Sequence, residues 1–377
     1  MGNKRRISKA VECMLWGQAA GRCEVCGREL YKDSAYGSSG NYAEKAHIIA
    51  VSDNGPRRLA DLRDEEINDA NNLMLLCAEH HKMIDDKEDL YLVDHLLEVK
   101  TAHEERVRCL MNIPRENETQ MVTYFSNIDM EISRHDTNLF KQAVVNDSKL
   151  PKFNEPINLG VTGPKQNVDT EYICQQAAIL ELAFKQKAQP ALERGIGVSI
   201  FALAPQPLLI KLGTLLSDQY DSHPYQCHRT GEKWTWKRTD YEVNYQINRP
   251  QQPNTTSKNV ALVLSLSAGI NHERVTAAIL NAEIPIYEIS IAEPNFDFVE
   301  SEAIADAFIK ANRIVMDEIR NMFSSCETIL LFPAMPNSLA VRFGMNYMFT
   351  SDLPVVIFNE HDGVFEETIS IGGTSGE

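Results

Sequence analysis

The reactive side chains of this chain concentrate between residues 72 and 81, Asn-Leu-Met-Leu-Leu-Cys-Ala-Glu-His-His. Cys77 and His80, two residues apart, form a metal-ligand pair, and His81 adds a soft ligand beside them. Upstream, Cys23-Glu-Val-Cys26 sets two thiolates across a tight turn, the usual first half of a tetrahedral zinc site. The spacing points to a structural Zn2+ held by Cys23, Cys26, Cys77 and His80. A region with so few core residues benefits from such a staple. His81 is left over for a second metal.

Elements must hold these groups in place. Apolar Val11, Met14, Leu15 and Ala19 follow helical spacing, and Gly21 ends that helix. The β-branched stretch after Glu44 fits a strand carrying His47. Leu73–Leu76 reads as a short buried strand, and residues 82–110 return to helical periodicity. The expected order is a strand with His47, a loop with Asn72, and a helix starting near His81.

That order resembles the HNH nuclease family, through Ala46-His47-Ile48, Asn72-Leu73 and Cys77-x-x-His80-His81, over about residues 5–110. The resemblance implies an α+β, ββα-metal domain that hydrolyses phosphodiesters. His47 would then be the general base, and Asn72 would hold its ring in the right tautomer. His81 would ligate a catalytic Mg2+ or Mn2+. The family often has an aspartate ligand just before the base, where this chain has Ala46. Glu44, two residues earlier on the same strand face, is the expected substitute. Its fourth zinc ligand is more often cysteine than the histidine present here. Arg57, Arg58 and Arg63, between His47 and Asn72, are candidate DNA phosphate contacts or parts of a solvated loop.

The chain is long for one domain, at 377 residues with net charge −16. Residues 1–113 hold 16 Lys+Arg and 20 Asp+Glu, net −4, and residues 114–377 hold 21 and 33, net −12. Basic clusters such as Lys4-Arg5-Arg6 and Arg57-Arg58 fall in the first part, where phosphate would be gripped. No apolar run is long enough to span a membrane, and no secretory signal opens the chain, so a bacterial cytoplasmic setting is expected. In that reducing compartment Cys13, Cys109, Cys174, Cys227 and Cys326 read as buried thiols.

Beyond Pro114 strands and helices alternate, which implies parallel sheets of Rossmann type. A repeat is visible in the residues. Pro205-x-x-Leu208-x-Ile-Lys211-Leu-Gly213 matches Pro336-x-x-Leu339-x-Val-Arg342-Phe-Gly344 at a constant offset of 131. Each copy reads as a strand, a proline turn and a helix start, where free N–H groups favour an anion. The plain alternative is a helix start with a surface cation. Gln206, Lys211, Asn337 and Arg342 follow from the repeat as ligand contacts, and Ser267 lies in a loop after another strand. Trp236, in an expected Trp234–Arg238 hairpin, is either a base-stacking ring or sheet packing.

A nuclease fused to such a duplicated sensor resembles the HNH–SAVED effectors of CBASS anti-phage systems. That resemblance implies domains at 1–115 and 116–377, the second an α/β tandem Rossmann-like module of two CARF-like halves at about 119–250 and 258–377. It implies activation by a cyclic di- or trinucleotide, a ligand-induced homo-oligomer (dimer or tetramer), and degradation of double-stranded DNA with little sequence preference. The alternatives are an HNH restriction-type enzyme that reads modified DNA, which the −12 charge opposes, and a non-catalytic zinc-stapled sensor, which Ala46 favours.

Overall fold

In the computed structural model the chain divides into two compact units, Met1–Pro114 and Arg115–Glu377. The structure describes residues 7–33, 35–50, 57, 64–126, 137–153, 155–160, 167–217, 219–231, 233–237, 241–251 and 253–373.

The first unit is built on two strands and three main helices. Helix α1 (Lys9–Gln18) starts where the Ser8 hydroxyl accepts from the Val11 N–H, a standard cap for an otherwise unpaired donor. Strand β1 (Ala43–His47) pairs antiparallel with β2 (Leu73–Cys77), setting Glu44 opposite Leu76 and His47 opposite Leu73. Every residue of β2 is buried, as its unbroken apolar run requires. Helix α2 (Ala78–Asp86) follows β2 with no connecting loop, and α3 (Val93–Asn112) completes the unit. Leu15, Leu30, Ile48, Leu73, Leu75, Ile84 and Leu96 form its core.

The second unit contains two sheets. In the first, β3 (Glu118–Phe125) pairs in parallel with β6 (Gly197–Leu203), which pairs in parallel with β7 (Ser222–Pro224). The short strands β4 (Leu150–Pro151) and β5 (Ile157–Asn158) both line the other edge of β3. Helices α4 (Thr137–Asn146), α5 (Thr170–Ala183) and α6 (Gln206–Leu216) belong to this half.

The second sheet runs in the order β13-β12-β11-β9-β10-β8. Its middle strands β9 (Asn259–Ser265), β10 (Ile286–Ser290), β11 (Thr328–Ala334) and β12 (Val355–His361) are parallel. The edge strands β8 (Gln246–Asn248) and β13 (Val364–Ile371) run antiparallel to their neighbours. Helices α7 (His272–Ile279), α8 (Glu302–Met322) and α9 (Asn337–Met345) connect them. One apolar core, including Leu180, Leu208, Leu262, Phe308 and Leu339, runs through both halves.

Two expectations differ from this arrangement. The described residues 233–237 form no hairpin where one was expected at Trp234–Arg238, and the nearby β8 joins the later sheet. Trp234 and Trp236 lie in no strand: Trp234 adopts φ 68° and is buried among Phe125, Phe140 and Phe201. The lone cysteines also differ. Cys326 is buried, but Cys13, Cys109 and Cys174 are exposed, because each helical thiol fell on the solvent side of its helix.

Candidate active site

The Cys23–Cys26 turn is brought to the β2–α2 junction by backbone pairing. The Glu24 N–H donates to the Leu75 carbonyl at 3.0 Å, and the Gly27 N–H closes the turn on the Cys23 carbonyl at 2.8 Å. Gly27 has φ 73°, a conformation that only glycine adopts readily. The ligand atoms of Cys23, Cys26, Cys77 and His80 then all lie within 4.8 Å of one another, with His80 Nδ1 3.1 Å from the Cys77 sulfur. Burial pushes the Cys23 thiol up to about 11, so without a cation this sulfur stays protonated. Three sulfurs and one imidazole nitrogen, with Cys23 and Cys77 buried and Cys26 exposed, are the donor set Zn2+ prefers.

His47 ends β1 half-buried, and its Nε2 lies 3.1 Å from the Asn68 carboxamide oxygen. The partner expected for this ring was Asn72, and the structure gives Asn72 a different task. Its Oδ1 accepts from the Ile49 N–H at 2.9 Å, while its Nδ2 donates to the Ile49 and Ile67 carbonyls at 3.0 and 2.9 Å. A buried carboxamide with two donors and an acceptor can clamp two passing backbone segments at once. Asn72 thus fixes the exit of β1, and Asn68 orients the ring.

His81 lies in the first turn of α2, half-buried, with Asp85 one turn later and 3.8 Å from its Nε2. Glu44 is exposed on β1 and joins no group of three or more potential metal ligands among the described residues. The carboxylate that the fold sets beside His81 is therefore Asp85. Arg57 also departs from expectation. Its guanidinium donates to the Ile48 and Ile84 carbonyls, each at 2.9 Å, and to Asp85 at 3.3 Å. With only 4% of its side chain exposed, it ties the β1 exit to α2 and is not available to DNA phosphate. Arg58 and Arg63 lie outside the described residues.

In the second unit, the repeated motifs meet each other. Helices α6 and α9 cross at Gly213 and Gly344, where a Cβ on Gly213 would lie 2.0 Å from the Val341 carbonyl and one on Gly344 2.0 Å from the Ile210 carbonyl. These contacts are related by the same offset of 131, so the crossing is close to two-fold. Gln206 Nε2 donates to the Met335 carbonyl at 2.7 Å, and Asn337 Nδ2 donates back to the Ala202 carbonyl at 3.0 Å. Lys211 pairs with Glu181 at 3.2 Å, and Arg342 with Asp306 at 2.8 Å and Glu302 at 3.2 Å. A hydrogen bond from His223, opposed by burial and aided by Arg342, holds Glu302 at about 2.

The other expected ligand contacts are engaged in the same way. The Leu266 and Ser267 N–H groups both donate to the Ala334 carbonyl, at 2.9 and 2.7 Å. The start of α9 is met by Gln226, whose Oε1 accepts from the Ser338 N–H at 3.2 Å and its hydroxyl at 2.7 Å. Trp236 stacks on Tyr225 with ring centres 6.1 Å apart.

Comparison with known proteins agrees with both units. Residues 23–88 match the HNH endonuclease model. Residues 180–371, just over half of the chain, match the model of the SMODS-associated and fused to various effectors sensor domain, SAVED. The chain belongs to the SAVED family. Its first unit carries the match to an HNH endonuclease domain.

Among solved structures, the SAVED protein is similar to the Acinetobacter baumannii Cap4 SAVED/CARF-domain containing receptor with the cyclic trinucleotide 2'3'3'-cAAA. The identity is 12%, over 82% of this chain and 65% of that one, with TM-score 0.43. The Moraxella osloensis Cap4 receptor gives 11%, 78%, 60% and 0.38. The chain thus spans less than two-thirds of the length of these structures. No curated protein matches it.

Two residues beside His81 and His47 escaped sequence reasoning, and one of them carried a signal. Asp85 is four residues after His81, the spacing that stacks side chains on one helix face. Asn68 is four residues before Asn72, in a segment whose irregular backbone gives no such rule. In the SAVED unit the two repeated glycines signalled close helix packing, which glycine permits.

Proposed function

We propose that this chain is a metal-dependent DNA endonuclease that a cyclic oligonucleotide switches on, acting in anti-phage defence of the CBASS type. The observation that carries the reading is the union of an HNH endonuclease domain and a SAVED sensor domain in one chain. Double-stranded DNA of any sequence is the proposed substrate, and a cyclic di- or trinucleotide the activator. Activation would act through a homo-oligomer. The domain division, at about residue 115, follows the linker after Pro114, and the two sheets of the sensor are read as two fused CARF-like halves.

His47 supplies the base. With its Nε2–H donating to Asn68, the neutral ring leaves Nδ1 free to take a proton from the attacking water. Asn72 and Arg57 hold the β1 exit, so that the ring cannot drift from the phosphate. His81 and Asp85 offer an imidazole and a carboxylate to a divalent cation such as Mg2+ or Mn2+, which would stabilise charge on the phosphate and leaving oxygen. Glu44, exposed on β1, is the second carboxylate proposed for the same ion. Zn2+ on Cys23, Cys26, Cys77 and His80 would fix α2, and with it His81, against the strand pair.

In the sensor, the messenger is proposed to sit at the strand C-terminal end, near Gln206, whose buried Oε1 has no hydrogen-bond partner among the described residues. Lys211 and Arg342 act there as anchors of carboxylates. The test is plasmid digestion with Mg2+, with and without a panel of cyclic oligonucleotides. Cutting only with a messenger supports the reading. Messenger-independent cutting of modified DNA, or no cutting under any condition, overturns it.

A further inference from the structure

The C-terminal ends of α6 and α9, opposite the ends that carry Gln206 and Asn337, open onto a cavity of about 1060 Å3. That is at the upper end of the range that binds small organic ligands. Its wall includes a π-helical turn, Phe184–Ala188, that interrupts an otherwise continuous helix after α5. Such turns are rare, cost helix stability, and concentrate at functional sites.

The charge of the wall runs against its surroundings. Among the described residues, Lys185, Lys310 and Arg313 face it with Asp317 as the one lining carboxylate, in a part of the chain whose net charge is −12. Arg313 is engaged by Asp352 and Asp317, and Lys185 by Glu181. Lys310 is exposed and, among the described residues, has no ion-pair partner. Phe349 is 57% exposed at the rim, edge-on to Tyr347 with ring centres 5.0 Å apart. Asn312, 7% exposed, has a buried Oδ1 with no donor among the described residues. An available cation, an exposed ring and an unmatched acceptor together suit a phosphate, a planar base and an exocyclic amine.

We propose that this cavity is a second ligand site, separate from the messenger's, for a nucleoside monophosphate whose base carries an exocyclic amine. Lys310 meets the phosphate, Phe349 stacks on the base, and Asn312 accepts from the amine. The proposal does not depend on the nuclease reading, because binding is measured without cutting.

The experiment is calorimetric titration of the full chain with 5′-AMP, IMP, which lacks the amine, and adenosine, which lacks the phosphate. AMP is expected to bind one per chain, with IMP and adenosine each about tenfold weaker, in keeping with one lost charged or buried hydrogen bond. Lys310→Glu and Phe349→Ala, both at exposed positions, should each weaken AMP about tenfold and leave cyclic-trinucleotide binding within twofold. Absence of AMP binding to the wild-type chain, or unchanged AMP binding in both variants, overturns the proposal. Loss of cyclic-trinucleotide binding in the variants also overturns it, since the cavity would then be the messenger's own seat.

Discussion

The two units use polar side chains in opposite ways. In the HNH unit Asn72 and Arg57 are taken up by backbone, but the four zinc-type ligand atoms converge within 4.8 Å, and His47 and His81 stay half-buried, beside Asn68 and Asp85. In the SAVED unit the groups chosen by repeat are occupied within the fold. Gln206 and Asn337 reach across to backbone of the other half, and Lys211 and Arg342 close on carboxylates. A spacing that serves metal or proton chemistry restricts residue type as well as position, so it points to a site. A spacing preserved between two halves of a duplicated fold reports first what the halves need from each other, which is packing.

The largest effect expected from this contrast is at His47. His47→Ala should lower messenger-dependent plasmid cutting by about 10²–10⁴-fold, the usual contribution of a general base, with melting temperature and messenger binding kept. Retained cutting would remove His47 from the chemistry and weaken the contrast at its root. Next is the zinc staple. Cys77→Ser should reduce bound zinc, measured by metal analysis, and lower soluble yield; a zinc-replete, fully soluble variant would undo the structural assignment.

The counterpart in the sensor is Gly213→Val. Its Cβ would meet the Val341 carbonyl at 2.0 Å, so the α6–α9 crossing must separate. A loss of about 3 kcal/mol in the unfolding of the second unit is expected, as for overpacking between tightly packed elements. An unchanged midpoint would mean that the crossing is not close in solution.

A smaller effect separates the two asparagines of the nuclease. Asn72→Ala should cost about 2 kcal/mol in denaturant unfolding, because it leaves buried backbone groups unpaired. Asn68→Ala should lower cutting about tenfold with little change in stability. The reverse pattern would return the ring-orienting role to Asn72.

The smallest effect concerns pH. Glu302 has a folded value of about 2, below its ordinary 4.5, so its contribution is present above about pH 4.5 and is lost as pH falls toward 2. Because the side chain is 37% exposed, solvent screening reduces this to about 1 kcal/mol. Glu302→Gln should flatten the acid limb of the stability curve by that amount, and an unaltered limb would show that the His223–Glu302–Arg342 cluster does not contribute.

Sequence by itself picked out the four ligand-type side chains that converge in the first unit and the α/β alternation of the second. Cys23, Cys26, Cys77, His80, His47 and His81 are legible because ligand and base chemistry restrict residue type and short-range spacing at once. The repeat was legible because a fixed offset survives in the apolar and glycine positions that packing constrains. Tertiary structure alone decided which partner each polar group meets. Asn68 rather than Asn72 reaches His47, Asp85 rather than Glu44 reaches His81, and Arg57 turns inward to two carbonyls. The physical reason is range. Periodicity and ligand spacing act over a few residues along the chain, whereas a hydrogen bond is satisfied by whatever the folded backbone brings within about 3 Å, however distant in sequence.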